Sequence, residues 1–351
     1  MMESAKIAAS FSHSAAHEFH ESSPLYEKLS IGISNDRELL ELAAHAISKP
    51  IPMIFLAAVH FLLLNETEHP LAAYFPDIAS PHDAPEGDPY AVFRNFCLEY
   101  RSEIGRIVST YHVQTNEVRR SACLLPAFGL VAAMSRGLPL ALIEIGASAG
   151  LNLLWDHYAY DYGNGRLYGD RASPVRLTCT LRGEKVPPFP QSFPQVFSRI
   201  GIDLYPVDVR EDSAANWLRA FIWPEHRGRF EMLGHAMAIA RRHPPELRAG
   251  DALELLPAVM AMTPTDTTLC LFHTFVSNQM PAEGLKRLEK LIAGFGVTRD
   301  VYCLSINFLD RYPRLELLAY TNGVKIHRHL ANCSGHSRWM EWIDHKLTLQ
   351  R

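Results

Sequence analysis

A chain of 351 residues, 48% hydrophobic and 21% charged, has a globular composition with room for one large domain or two ordinary ones. Its 34 Lys and Arg against 38 Asp and Glu leave a formal charge of −4, which argues against broad electrostatic binding to nucleic acid or acidic lipid. The six cysteines lack CxxC spacing, and free Cys in apolar segments behaves as a small hydrophobe, so a reducing cytoplasm is expected. The first residues, with Glu3, Glu18 and several His, lack the compact apolar stretch of a secretory signal. The most apolar run, Ile51 to Leu64, contains Pro52 and His60 and is shorter than the roughly 20 residues needed to cross a bilayer. It reads as a buried helix, and no membrane association is expected.

From residue 1 to about 138 the apolar spacing is helical. Leu39, Leu40, Ala43, Ala46 and Ile47 form one stripe behind Asn35 or Asp36, either of which can cap the first turn. Phe93, Phe96, Cys97, Tyr100, Ile104 and Ile107 repeat the pattern, and His69 to Asp88, rich in Pro, Asp and Ala, reads as a loop between them. A further helix is expected from near Thr115 through Leu124, Phe128 and Val131 to Gly137.

The periodicity then changes. Leu140 to Ile145 suits a strand buried on both faces, and it ends in Gly146-Ala147-Ser148-Ala149-Gly150. Leu151, Leu154, Trp155 and Tyr158 follow at helical spacing, so strand, glycine turn and helix open a βαβ unit. Residues 160 to 198, with a possible strand at Val175 to Leu181 and prolines between Pro187 and Pro194, read as an insertion. Strands are expected around Gly201 to Val207, just before Gly250, and at Thr268 to His273 and Val301 to Phe308, alternating with helices at Asp212 to Phe221, Arg229 to Arg241, from Ala252 and from Pro281. Leu315 to Tyr320 and Val324 to Ala331, joined by Asn322-Gly323, form a hairpin. The expectation is therefore an α/β fold: an all-helical region over 1–138, then a mostly parallel sheet with a terminal antiparallel hairpin over 139–351.

At the carboxyl end of a parallel strand, small residues let a ligand approach the backbone, and the following helix start favours negative or electron-rich groups. Glu144 adds an acceptor for an ammonium or a ribose hydroxyl. This E-x-G-x-S-x-G pattern resembles the first motif of S-adenosylmethionine (SAM) dependent methyltransferases, with Ser148 where that motif has its middle glycine. The resemblance implies a Rossmann-like domain, SAM as cofactor held by Glu144, Gly146, Ser148, Gly150 and Asn152, and an adenine contact from Asp251 at a later strand end. A ribose acid at the usual spacing is missing, since Asp203 and Asp208 lie farther along the chain than about 20 residues. His273, closing its strand in LFHTFV, is the candidate catalytic base, and Gln114, Asn116 and Glu117, just before the sheet, are candidate small-molecule substrate contacts.

Taken together, Gln114 to Val118, IEIGASAGLNL, Trp217 to Glu225, GDALELLP, LFHTFV and GHSRWMEW resemble one family of uncharacterised bacterial proteins, from about Glu99 to Trp342. That resemblance implies a methyltransferase-like core and no particular reaction. Two other chemistries fit parts of the sequence. Gly146 to Gly150 also satisfies G-x-S-x-G, the nucleophile elbow of α/β-hydrolases, with His273 or His336 as base and Asp251 or Asp310 as orienting acid; a non-catalytic protein keeping the sheet is the third reading. His327, His329, Cys333 and His336 are zinc-ligand types, although their spacing matches no familiar closed site and an ordinary polar strand face is favoured. His336 to Glu341 reads as part of an amphipathic last helix.

Overall fold

The computed structural model describes residues 2–79 and 85–344. They divide into two compact units, Met1–Thr115 with Asp208–Gly234, and Asn116–Val207 with His235–Arg351. Packing therefore draws the boundary at residue 115 and not at 138, and it assigns a later segment to the helical unit.

The first unit contains α1 (Met2–Ser14), α2 (Pro24–Ser34), α3 (Arg37–Ala43), α4 (Ile51–Leu64), α5 (Pro89–Glu99) and α6 (Arg101–Thr110). Asp36 caps α3 by accepting from the amides of Glu38 and Leu39. α4 is buried almost all round, which explains its lack of a polar face. The segment 208–234 belongs here because Trp217 and Phe221 join the same apolar cluster as Phe55, Phe61 and Phe96. They lie on and just after α8 (Asp212–Ala220), and Trp217 meets Phe61 edge-on at 5.4 Å. Among the described residues no helix is long and apolar enough to cross a membrane.

The second unit is built on a nine-stranded sheet. α7 (Ser121–Met134) precedes β1 (Leu140–Ile145); the insertion supplies β2 (Ala159–Asp161), β3 (Leu167–Gly169), β4 (Arg176–Thr178) and β5 (Thr180–Arg182). Then come β6 (Val196–Asp203), the part of α9 (Arg227–Arg242) beyond Gly234, β7 (Glu246–Ala249), α10 (Ala252–Met262), β8 (Thr268–Thr274), α11 (Ala282–Gly296) and β9 (Val301–Phe308). The chain closes with β10 (Pro313–Thr321), β11 (Val324–Cys333) and β12 (Trp339–Trp342). The strand order is β5-β12-β11-β10-β9-β8-β1-β6-β7. β7, β6, β1, β8 and β9 run parallel, whereas β10, β11 and β12 are each antiparallel to their predecessor. The fold is thus α/β with a large, mostly parallel sheet.

Three local expectations give way. Residues 151–157 form a 3₁₀ segment and not an α-helix. Leu151 to Trp155 are buried without exception, so packing on all sides, and not one amphipathic face, sets their path. Near Thr115 the helix starts later than expected: a short 3₁₀ turn at Val118–Arg120 intervenes before α7. The closing WMEW is a strand with Met340 and Trp342 turned inward, a period of two that the charged residues around it disguise.

Register fixes which side chains share a face. Glu144 pairs with Phe272, and Ile145 pairs with His273. Phe272 meets Phe128 of α7 edge-on at 5.3 Å, so Glu144 belongs to the α7 face. Ile143, Ile145, Leu269 and Leu271 join Leu256 of α10 and Leu288 and Ile292 of α11 in one core. His273 is therefore on the α11 face.

Candidate functional site at the β1 turn

The chain reverses out of β1 through three left-handed residues, Gly146 (φ 69°), Ser148 (φ 52°) and Gly150 (φ 68°). A Cβ on Gly146 would stand 2.4 Å from Cγ2 of Val276, so residue 146 tolerates no side chain. The turn lies equally close to the neighbouring strand: a Cβ on Gly201 of β6 would meet that of Ala147 at 2.7 Å.

Four of the turn's five amides, those of residues 146, 147, 148 and 150, are committed within the protein. Those of Gly146 and Ala147 donate to the carbonyl of Ile202 (2.8 and 3.3 Å), and that of Gly150 to Ala147 (2.7 Å). Ser148 donates to Oδ2 of Asp203 at 2.8 Å, and Leu151 donates to Oδ1 of Asn116 at 3.0 Å. The amide cradle expected of a strand-turn-helix unit is therefore largely closed in this conformation, and the 3₁₀ segment offers no regular helix terminus.

Acceptors and side-chain polar atoms are what the turn offers. Glu144 is 1% exposed and its Oε2 has no hydrogen-bond partner. Burial raises its carboxyl well above the usual range, the negative Asp203 adds to the shift, and the Asn152 amide and Arg120 guanidinium oppose it. Asn152 accepts from the Ser121 hydroxyl at 2.8 Å and leaves Nδ2 unpartnered. Ser148, 2% exposed, has an unpartnered hydroxyl; among the described residues no imidazole is hydrogen-bonded to it, so no serine-histidine relay is assembled among them.

Acids end the next two strands as well. Asp203 closes β6 and also accepts from the amide of Tyr205 at 2.9 Å. Asp251, just beyond β7, accepts from the amide of Leu253 at 2.8 Å and caps α10. β1, β6 and β7 are adjacent, so Glu144, Asp203 and Asp251 stand in sequence along one carboxyl edge. Sequence spacing set Asp203 aside because it counts through the insertion; strand order restores it.

The substrate candidates take other roles. Gln114 ends in the helical unit. Asn116 anchors the turn through Leu151, and Glu117 caps the 3₁₀ turn by accepting from Arg119 at 3.2 Å. His273 is turned away from Glu144 by strand alternation; it is 5% exposed, and burial pushes its imidazole down to about 4, so it is neutral. The zinc-type residues do not converge: among the described residues no group of three or more His, Cys, Asp or Glu could hold a metal ion. His327 faces Glu316 at 3.7 Å, His329 Nε2 lies 3.2 Å from the Ala331 carbonyl, and Cys333 is buried beside the carbonyl of Pro313.

A family model described as an uncharacterized protein conserved in bacteria (DUF2332) matches residues 8–342. The chain belongs to that family. The match to DUF2332 takes in residues of both units. No curated protein and no solved structure matches the chain.

Proposed function

We propose that the sheet unit is a Rossmann-like, SAM-binding, methyltransferase-like module acting on a small molecule. The observation that carries this reading is the row Glu144, Asp203 and Asp251 at the ends of three adjacent parallel strands around a left-handed turn. Numbered by order along the chain, the parallel strands run 3-2-1-4-5, with the topological switch between β1 and β8. Ligands of open α/β sheets bind outside the carboxyl ends of the strands at such a switch.

With four of the turn's five amides committed, the turn is poorly suited to a dinucleotide, whose pyrophosphate needs several free N–H groups. Carboxylates suit a ligand that presents an ammonium, ribose hydroxyls and an exocyclic amine. The unpartnered atoms of Glu144, Ser148 and Asn152 fit it too, because buried polar atoms normally have partners. In this reading Glu144 and Asn152 face the amino-acid end, Asp203 the ribose and Asp251 the adenine, with Gly146 and Gly150 keeping the turn thin. SAM would supply an activated methyl group; the residues supply orientation.

Thermal unfolding of the full chain with SAM or its demethylated product tests the proposal. A ligand at 100 times its Kd stabilises by about 2.7 kcal/mol. The shift is expected in wild type and diminished in Asp251→Asn. If neither nucleoside moves the transition at millimolar concentration, the reading fails. A fluorophosphonate that labels wild type and not Ser148→Ala would hand the site to the hydrolase alternative instead, and neither response would leave a non-catalytic protein.

A further inference from the structure

On the α11 face of the sheet, away from the β1 turn, lies a cleft of about 380 Å³. Its polar lining is ordered by the strand register. His273 pairs with Ser305, and Ser305 pairs with Glu316, so three polar side chains stand abreast on β8, β9 and β10 on one face of the sheet. Adjacent strands are about 4.8 Å apart, which sets these groups around a space wide enough for one small head group. Leu288 and Ile292 of α11 form the apolar wall opposite.

The row itself holds no lysine or arginine. Glu316 is only 17% exposed, and two imidazoles stand beside it: His327, exposed and with Nε2 3.7 Å away, and His329, its register partner on β11, whose ring burial holds toward the neutral form. Lys325, also on the cleft, is taken by Glu289 of α11. His273 is buried with an unpartnered Nδ1, and as a neutral ring it does not repel a cation. With Lys325 held by Glu289, a cleft that keeps a carboxylate, a hydroxyl and a neutral imidazole side by side is suited to a donor-rich positive group from outside.

We propose that this cleft binds a small organic primary ammonium with a short apolar body. An ammonium carries three N–H donors and no acceptor; Glu316, the Ser305 hydroxyl and a ring nitrogen of His273 provide three acceptors in register. The bond to Glu316 is charge-assisted and gives most of the selectivity, while Leu288 and Ile292 receive the apolar body. The site is independent of the nucleoside reading, because it uses the opposite face of the sheet and none of the turn's residues.

The test uses the full chain, benzylammonium as probe and benzyl alcohol as its uncharged counterpart, with binding followed by calorimetry and by the imidazole NMR signals of His273. Benzylammonium is expected to bind, to move the His273 signals, and to bind about tenfold or more tighter than the alcohol. Glu316→Gln, which keeps shape and removes charge, is expected to abolish that preference, and Ser305→Ala to weaken amine binding with its fold unchanged. Equal binding of amine and alcohol, amine binding unaltered by both substitutions, or no binding at millimolar probe would each overturn the proposal. Should Glu316→Gln fail to fold, Ser305→Ala and the amine-to-alcohol ratio on wild type still decide it. SAM binding without amine binding would sink this inference alone, and the converse would sink only the nucleoside reading.

Discussion

Replacing Gly146 by Ala perturbs the turn in two separable ways. A left-handed φ of 69° costs a residue with a Cβ about 1–2 kcal/mol. The new Cβ would also stand 2.4 Å from Cγ2 of Val276, an overlap of the kind that costs about 1–3 kcal/mol in packed sites. Gly146→Ala is therefore expected to destabilise the sheet unit by about 2–5 kcal/mol. In a Val276→Ala background the overlap disappears and only the backbone part remains, so the substitution should cost about 1–2 kcal/mol there. The coupling energy of the double-mutant cycle, measured by urea unfolding, should be about 1–3 kcal/mol with a compensating sign. Identical costs in the two backgrounds would show that Val276 does not press on the turn, and with that the account of why residue 146 must be glycine would be wrong.

Two further outcomes follow from buried titratable groups. Glu144 has its folded pKa raised, so the native state binds more protons than the unfolded chain once pH exceeds the ordinary carboxyl value, and stability falls as pH rises from there. Glu144→Gln removes this cost; it should be close to wild type below pH about 4 and increasingly more stable than wild type toward pH 8, and a pH-independent difference would refute the assignment. His273 has its folded pKa lowered from 6.5 to about 4, so stability is complete above 6.5 and is lost as pH falls from 6.5 through 4, by about 3 kcal/mol in all. His273→Asn should flatten the stability profile in that window; an unchanged slope would mean the imidazole is not buried neutral.

β1, β8, β9 and the β10–β11 hairpin were the legible part of this chain, whereas β6 starts and ends earlier than the expected Gly201 to Val207. β1 falls at Leu140–Ile145 as its apolar run indicates, and the hairpin of β10 and β11 surrounds Asn322-Gly323 as turn chemistry demands. Both signals are local, which is why they survive tertiary context. Residues 151–157 misled because LNLLW has helical spacing only when read on one face, whereas the fold buries it on every side. WMEW misled in the other direction, four residues being too short for a period of two to stand out. For the site, Glu144 and Asp251 were accessible from strand-end patterns, but Asp203 required strand order. The polar row of His273, Ser305 and Glu316 comes from residues 43 positions apart in the chain and becomes visible only through register.

The outermost strand carries a consequence for assembly of the sheet. β5 comes from the insertion at Thr180–Arg182, yet its sheet partner is β12 at Trp339–Trp342. A nascent chain that has already produced β5 has nothing to zip it against until β12 emerges, so the rim is sealed late and by a long-range closure of the slow kind. Truncation before Trp339 would strip β11 of its neighbour and orphan β5 at once, leaving a ragged border of unpaired amides and carbonyls available to another molecule of the same truncated chain.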